Sequence, residues 1–336
     1  LKAAVVHEYK QPLRVEDVIT PEAGAGEIII KVEACGVCHS DLHLAEGDWK
    51  QLLKRVKIPL IPGHEVVGKV VAKGEGVTQL EIGDRVGVAW IHWTCGECDM
   101  CREGRENLCS RQVITGATVD GGYAEFIKAN ASHALKAPDG LSPEESAPMY
   151  CAGLTVYRAI KLAEIESRQR VAIVGIGGLG HLAVQIAKNY GAEVIAIDVA
   201  DDKLDLAREL GADVTINAIR SDAVKEMKKL GGVHKAIVTS AAKAAYDTAL
   251  LGLRGTGKLM IVGMPAEDIS LPAILLRETT VMASATGTRD DLRELLDLAA
   301  RGKVKCRVET RPLEEINEVF DEMKQGKISG RIVLTM

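Results

Sequence analysis

The pattern of apolar and polar positions divides the chain in two. Over the first 150 residues or so, short apolar runs (KAAVV, EIIIKVEACG, VVGKVVAKG, DRVGVAW) are separated by glycine-containing turns. Runs of that length and punctuation predict strands, and so an irregular all-β region. Past Pro148 the texture changes. CAGLTVYRAIKL, from Cys151 to Leu162, has the apolar spacing of a helix. RVAIVGIGGLGHLAVQIAKNYGAEVIAID, KLDLARELGADVTIN, HKAIVTS, AAYDTALLGLRGTGKLMIVG and TVMASATG follow. Apolar strands here alternate with helical segments, which predicts βαβ units and a parallel sheet. In the tail, DDLRELLDLAARG and EEINEVFDEMKQG predict helices and GRIVLTM a last strand.

The chain has 336 residues and is 47% hydrophobic, enough for two domains with real cores. Its net charge is −5 and it has no long basic run, so no nucleic-acid partner is expected. No apolar run reaches the length of a membrane span, and no signal pattern opens the sequence. A soluble cytoplasmic protein without a membrane partner is the expectation. In a reducing compartment its cysteines would be ligands or nucleophiles rather than disulfides.

Gly175-Ile-Gly177-Gly178-Leu-Gly180 fits G-x-G-x-x-G. The motif follows the predicted strand RVAIV and opens a helix, and Asp198 ends the next strand about twenty residues on. Gly175 permits the tight turn, Gly177 a close backbone approach to a pyrophosphate, and Gly180 close helix–strand packing. The helix N-terminus offers N–H groups to phosphates. Asp198 can accept the adenosine ribose hydroxyls and would repel a 2′-phosphate, so NAD is expected rather than NADP; nearby Lys203 complicates that choice. The fold class is therefore α/β: a doubly wound Rossmann sheet plus a mainly β region.

CGECDMCREGRENLC places Cys95, Cys98, Cys101 and Cys109 within fifteen residues, as C-x2-C-x2-C-x7-C. Disulfides would clip only tiny loops. The long last gap and the following Ser110 do not fit a bacterial ferredoxin run. A closed, structural zinc site of four thiolates fits best, with a redox switch as the alternative. Elsewhere Cys38 lies near His39 and His43, and PGHEVVG supplies His64 and Glu65. An open catalytic zinc needs three protein ligands. Cys38, His64 and Cys151 can supply them, although sequence separation leaves the Cys38–Cys151 pairing open. Cys35 and Cys306 read as small buried hydrophobes.

GHEVVGKVVAKGEGV, GVCHSDLH, the CGECDMCREGRENLC lobe, CAGLTVY, VGIGGLG and the closing GRIVL run in this order along nearly the whole chain. As a set they resemble the zinc-dependent alcohol dehydrogenases of the medium-chain dehydrogenase/reductase superfamily, most of all the shorter microbial and yeast-type enzymes. The resemblance implies a GroES-like catalytic domain over 1–153 with a structural-zinc lobe at about 90–112. It further implies an NAD-binding Rossmann domain over 154–285 and a return to the catalytic domain over 286–336. It implies two zinc ions per chain. The catalytic one would be held by Cys38, His64 and Cys151 with Glu65 nearby, and the structural one by the four clustered thiols. Asp41 would accept the second ring N–H of His64.

The implied reaction is reversible hydride transfer to NAD from a zinc-bound alkoxide. A proton relay would run from Ser40 through the nicotinamide ribose to His43. His39 stands where many relatives carry Arg beside the pyrophosphate, which implies weaker, pH-sensitive NAD binding. Arg331 would face the pyrophosphate, Val262, Gly263 and Met264 would line the nicotinamide, and Thr155 would pack near its ring. Trp49 and Trp90 would narrow the substrate pocket in a chain that is only 3% aromatic. Ala285 would leave room for medium-chain or aromatic alcohols. The substrate would be a primary or secondary alcohol and its aldehyde or ketone, with a polyol, an amino-alcohol or a glutathione adduct as the alternative. A zinc-binding redox sensor or zinc-free quinone reductase is disfavoured by the full ligand set. A homotetramer is implied by resemblance alone.

Overall fold

The computed structural model describes residues 1–265, 267–269 and 275–336, without the side chains of residues 50 and 51. The chain forms two compact units. One comprises Leu1–Cys151, Thr288–Ala300 and Cys306–Met336, the other Ala152–Gly287 and Arg301–Lys305. No helix among the described residues is long and apolar enough to cross a membrane.

In the second unit the described residues form a six-stranded sheet. Its order is Val214–Asn217, Glu193–Asp198, Arg170–Val174, Val233–Val238, Leu253–Ile261, Thr280–Ala283. Every pairing is parallel. The apolar runs read from the sequence are buried: Ala172, Ile195, Ala236, Val238 and Leu259 are wholly inaccessible. Continuous rather than alternating hydrophobicity is what a parallel sheet with both faces covered requires. The first strand lies centrally, so the chain leaves it in both directions. That switch opens a crevice at the strands' carboxyl ends.

In the first unit the final strand, Arg331–Thr335, lies antiparallel on Glu27–Gly36, which pairs in turn with Glu65–Lys73. The register sets Val333 against Gly36 and Gly36 against Glu65. Three segments distant in sequence thereby meet at one point. The core beneath is aliphatic, with Ile28, Ile30, Val66, Val70, Val86 and Ile127 buried.

The expected all-β texture of this region is interrupted by a helix, His39–Glu46. Its start is local chemistry: Cys38 is extended, and its N–H donates to the Asp41 carboxylate at 3.1 Å. Its end is Gly47, in the left-handed conformation at φ 71°. Only eight residues long, it offers too few apolar positions for its period to show beside the strands. In the second unit the helix Ala223–Lys229, likewise absent from the sequence reading, is capped by Asp222, whose side chain accepts from the Lys225 N–H.

Candidate metal centres and active site

The sulfurs of Cys95, Cys98, Cys101 and Cys109 lie within 4.8 Å of one another. Two Sγ–Sγ distances are 3.6 Å (Cys95–Cys109) and 3.9 Å (Cys95–Cys101), far beyond a disulfide. Among the described residues no cysteine is joined in a disulfide. Cys98 leads into a one-turn helix, Asp99–Arg102, which carries Cys101, and a 3-10 turn at Glu106–Leu108 delivers Cys109. Backbone amides of Glu97 and Cys98 draw the Cys95 thiol down to about 6. Burial pushes Cys101 up to about 12. Four converging thiols, one of them acidic, fit a tetrahedral zinc.

A second cluster joins Cys38, His64, Glu65 and Cys151, whose ligand atoms also lie within 4.8 Å of one another. All four residues are buried. His64 Nε2 is 3.2 Å from Cys151 Sγ. The register of the sheet places Glu65, the start of the helix places Cys38, and Cys151 closes the first unit. Cys151 donates to Cys38, which lowers the Cys38 thiol well below its usual range and raises Cys151 well above it. Burial opposes a charge on His64, yet Asp41 and Cys38 together hold the imidazole well above its ordinary value. Two thiols and an imidazole, with the Glu65 carboxylate beside them, suit zinc with a position left open for a further ligand.

Asp41 is 2% exposed and accepts four hydrogen bonds. The donors are His64 Nδ1 at 2.9 Å, Gly63 N–H at 3.0 Å, Cys38 N–H at 3.1 Å and Tyr123 O–H at 2.9 Å. In the neutral ring this leaves His64 Nε2 as the lone-pair nitrogen. Arg331 is neither at the surface nor open to solvent. It is 4% exposed and donates to Glu65 Oε1 at 2.5 Å. Glu65 Oε2 is buried with no hydrogen-bond partner. Burial pushes the Glu65 carboxyl up to about 7 against the pull of Arg331. An orphaned carboxylate oxygen beside two thiols and an imidazole is what a cation at this point would satisfy. Gly36 keeps room for it, because a Cβ there would lie 1.9 Å from Oε2.

A chain of rings leads away from His64. Trp90 stands edge-on to it at 4.8 Å between centroids, Trp49 edge-on to Trp90 at 6.1 Å, and His43 lies 5.6 Å from Trp49. His43 Nδ1 is 2.8 Å from Asp48 Oδ2, and both side chains are about half exposed. Ser40 is half-buried on the same helix and His39 exposed.

In the second unit the glycine motif lies at the carboxyl end of Arg170–Val174. Gly175 has φ +95°, and a Cβ on Gly180 would meet the Gly175 carbonyl oxygen at 1.9 Å. A Cβ on Gly177 would meet nothing within 4 Å, so this glycine faces open space, and Gly178 beside it is half-buried. Asp198 Oδ2 accepts from the Ile176 N–H at 2.6 Å, and Oδ1 from Val199 and Ala200 at 2.7 and 3.0 Å. The carboxylate thus braces the glycine loop as well as ending its strand. Val262 and Gly263 both donate to the Val238 carbonyl at 3.0 Å, and Met264 beside them is exposed. Lys203 and Thr155 are half-buried on their helices and Ala285 is exposed. Sequence reading missed Tyr123, the Arg331–Glu65 pair, and Thr239, whose hydroxyl donates to the Gly175 carbonyl at 2.6 Å. Only the Thr-Ser that ends HKAIVTS pointed to the last.

The family described as Alcohol dehydrogenase GroES-like domain matches residues 24–139, and Zinc-binding dehydrogenase matches residues 178–301. An alcohol dehydrogenase of Geobacillus stearothermophilus is 50% identical over 337 residues, 99% of each chain. The alcohol dehydrogenase of Aeropyrum pernix superposes with a TM-score of 0.93 at 40% identity over 100% of both chains. Acetophenone reductase from Geotrichum candidum, solved in complex with NAD, gives 0.90 at 34% identity, over 100% of this chain and 97% of that one. With both folds, both thiol clusters and full-length similarity in agreement, the chain belongs to the zinc-dependent alcohol dehydrogenases of the medium-chain dehydrogenase/reductase superfamily and is an alcohol oxidoreductase of the NAD type.

Proposed function

We propose that the protein oxidises a primary or secondary alcohol to an aldehyde or ketone, reversibly, with catalysis at Cys38, His64 and Cys151. One observation carries this reading: these three donors converge in a buried site beside an unpartnered Glu65 oxygen. Zinc bound there supplies Lewis acidity that brings an alcohol's hydroxyl pKa toward neutrality, and NAD supplies the hydride acceptor.

The rest is work for this chain's residues. Asp41 fixes the His64 ring by its Nδ1–H, so that Nε2 presents its lone pair. Ser40 takes the proton released by the alcohol. His43, half-exposed and next to Asp48, hands it to solvent. Trp90 and Trp49 form an apolar wall that starts against His64 and favours an apolar alcohol. The same wall disfavours a polyol, an amino-alcohol or a glutathione adduct. The name of the Geotrichum relative supports a ketone as the product of a secondary alcohol.

In this reading the first unit is the catalytic domain and the second binds NAD through Gly175, Gly177, Gly178, Gly180, Asp198, Lys203, Val262, Gly263, Met264 and Thr155. His39 assists at the pyrophosphate, Arg331 would reach it only by leaving its buried pair with Glu65, and Ala285 widens the substrate pocket. The four-thiol cluster holds a second, structural zinc. The protein works in the cytoplasm, where its cysteines stay reduced. Association into a tetramer is supported by Thr280–Ala283, the outer strand of its sheet, near exposed Leu275 and Leu276. The test of the substrate class is NADH formation across a panel from ethanol to benzyl alcohol and cyclohexanol. Turnover of the larger apolar alcohols is expected, and turnover of polyols alone would overturn it.

A further inference from the structure

Tyr123 is wholly buried in the first unit, yet it carries a hydroxyl. A buried phenol needs a reason, and its partner is chemically pointed. The O–H donates to Asp41 Oδ2 at 2.9 Å, while Asp41 Oδ1 lies 2.9 Å from His64 Nδ1. The ring makes a second connection. It packs against Gly63, the residue before His64, so closely that a Cβ on Gly63 would meet Tyr123 Cδ1 at 2.5 Å. Gly63 has φ +96°, a conformation that glycine adopts readily. The backbone around it is clamped to the same segment: Tyr123 N–H donates to the Pro62 carbonyl at 3.0 Å, and Gly122 N–H to that of Gly63 at 2.8 Å.

From this geometry we propose that Tyr123 is a positioning residue for His64, acting through its hydroxyl on Asp41 and through its ring on Gly63. Asp41 Oδ2 has two donors, Tyr123 and the Cys38 N–H. Without the phenol, the face of the carboxylate opposite His64 is held by Cys38 alone. The imidazole then has a looser partner, and Cys38, itself in the donor set, shares the disturbance. The inference rests on the reading that Cys38, His64 and Cys151 hold zinc.

The two routes separate by substitution. Tyr123→Phe removes the hydroxyl and keeps the ring on Gly63. The experiment loads the full chain with zinc, counts the metal, and follows its release to a chromophoric chelator. Cys38→Ser identifies the phase that belongs to the catalytic cluster. The expected result is that Tyr123→Phe speeds this phase by about 3- to 10-fold, less than the 10- to 100-fold in metal affinity usual for direct partners of a metal ligand. The four-thiol phase should not change. Asn317→Leu, which removes a pair of hydrogen bonds to Leu13 and none to the cluster, controls for a general loss of stability. An unchanged catalytic phase in Tyr123→Phe, or equal acceleration in Asn317→Leu, overturns the proposal. If Cys38→Ser removes no zinc from the chain, the metal reading fails and the proposal fails with it.

Discussion

Glu65 Oε1 and the guanidinium of Arg331 lie 2.5 Å apart in a buried ion pair, although 266 positions separate them in the chain. The sheet register makes the meeting, and desolvation makes it costly to break. Replacing Arg331 with Met leaves a carboxylate buried without compensation. A loss of about 3–5 kcal/mol is expected in denaturant unfolding of the metal-free protein. Replacing Glu65 with Gln in the same chain should return much of it.

Gly36 should prove intolerant for a reason confined to one side chain. Its added Cβ would come within 1.9 Å of Glu65 Oε2, the oxygen that faces the metal cluster. Gly36→Ala should cost about 1–3 kcal/mol, as overpacking does, and lower activity. In a Glu65→Ala chain, itself destabilised because Arg331 is left unpaired, adding Gly36→Ala should cost little more. Unfolding midpoints of the two single variants and the double variant check this.

The glycines of the second unit should separate into a structural and a binding class. Gly180→Ala forces a Cβ onto the Gly175 carbonyl and should destabilise the fold. Gly177→Ala meets nothing, so the melting temperature should stay near the native value. Its methyl would instead stand where a pyrophosphate approaches the loop, and NAD affinity should fall about tenfold or more. Titration calorimetry beside a thermal melt distinguishes the two.

Stability should fall with acid through two histidines. Burial pushes His92 and His133 down to about 4, and Arg289 adds to the effect on His133. Unfolded, each would take up a proton near its ordinary pKa of about 6.5. Their contribution is therefore present above about pH 6.5 and lost as pH falls toward about 4, on the order of 3 kcal/mol each at most. Glu65 runs the other way: its carboxyl is raised to about 7, so its contribution is present at low pH and lost as pH rises through that value. The His92→Gln/His133→Gln variant leaves Glu65 untouched. On going from about pH 7.5 to about pH 5 its urea midpoint should shift upward relative to that of the native chain, because the opposing Glu65 contribution is then unmasked.

The parts legible in the sequence were those whose chemistry is local. The glycine motif could be read because each glycine answers a constraint set by its own neighbours in the chain. The four-thiol lobe could be read because its spacing is short. The parallel sheet announced itself in unbroken apolar runs such as RVAIV and EVIAI. What stayed hidden depends on register and on short elements. Nothing around Arg331 names Glu65, because their meeting is decided by which strands pair across the sheet. The helix His39–Glu46 is too brief for its period to emerge, yet it carries Ser40, Asp41 and His43. Tyr123 reads as one more core aromatic until its hydroxyl is seen on Asp41.

The central claim is that the Cys38–His64–Cys151 cluster holds the zinc at which alcohol is oxidised. Zinc content and NADH formation should be measured together in the native chain, in Cys38→Ser and in Cys98→Ser. The native chain should carry two zinc ions and turn over an apolar alcohol. Cys38→Ser should lose turnover and one zinc without a matching fall in melting temperature, whereas Cys98→Ser should lose its zinc with a clear loss of stability. NADH formation that persists in Cys38→Ser would contradict the account.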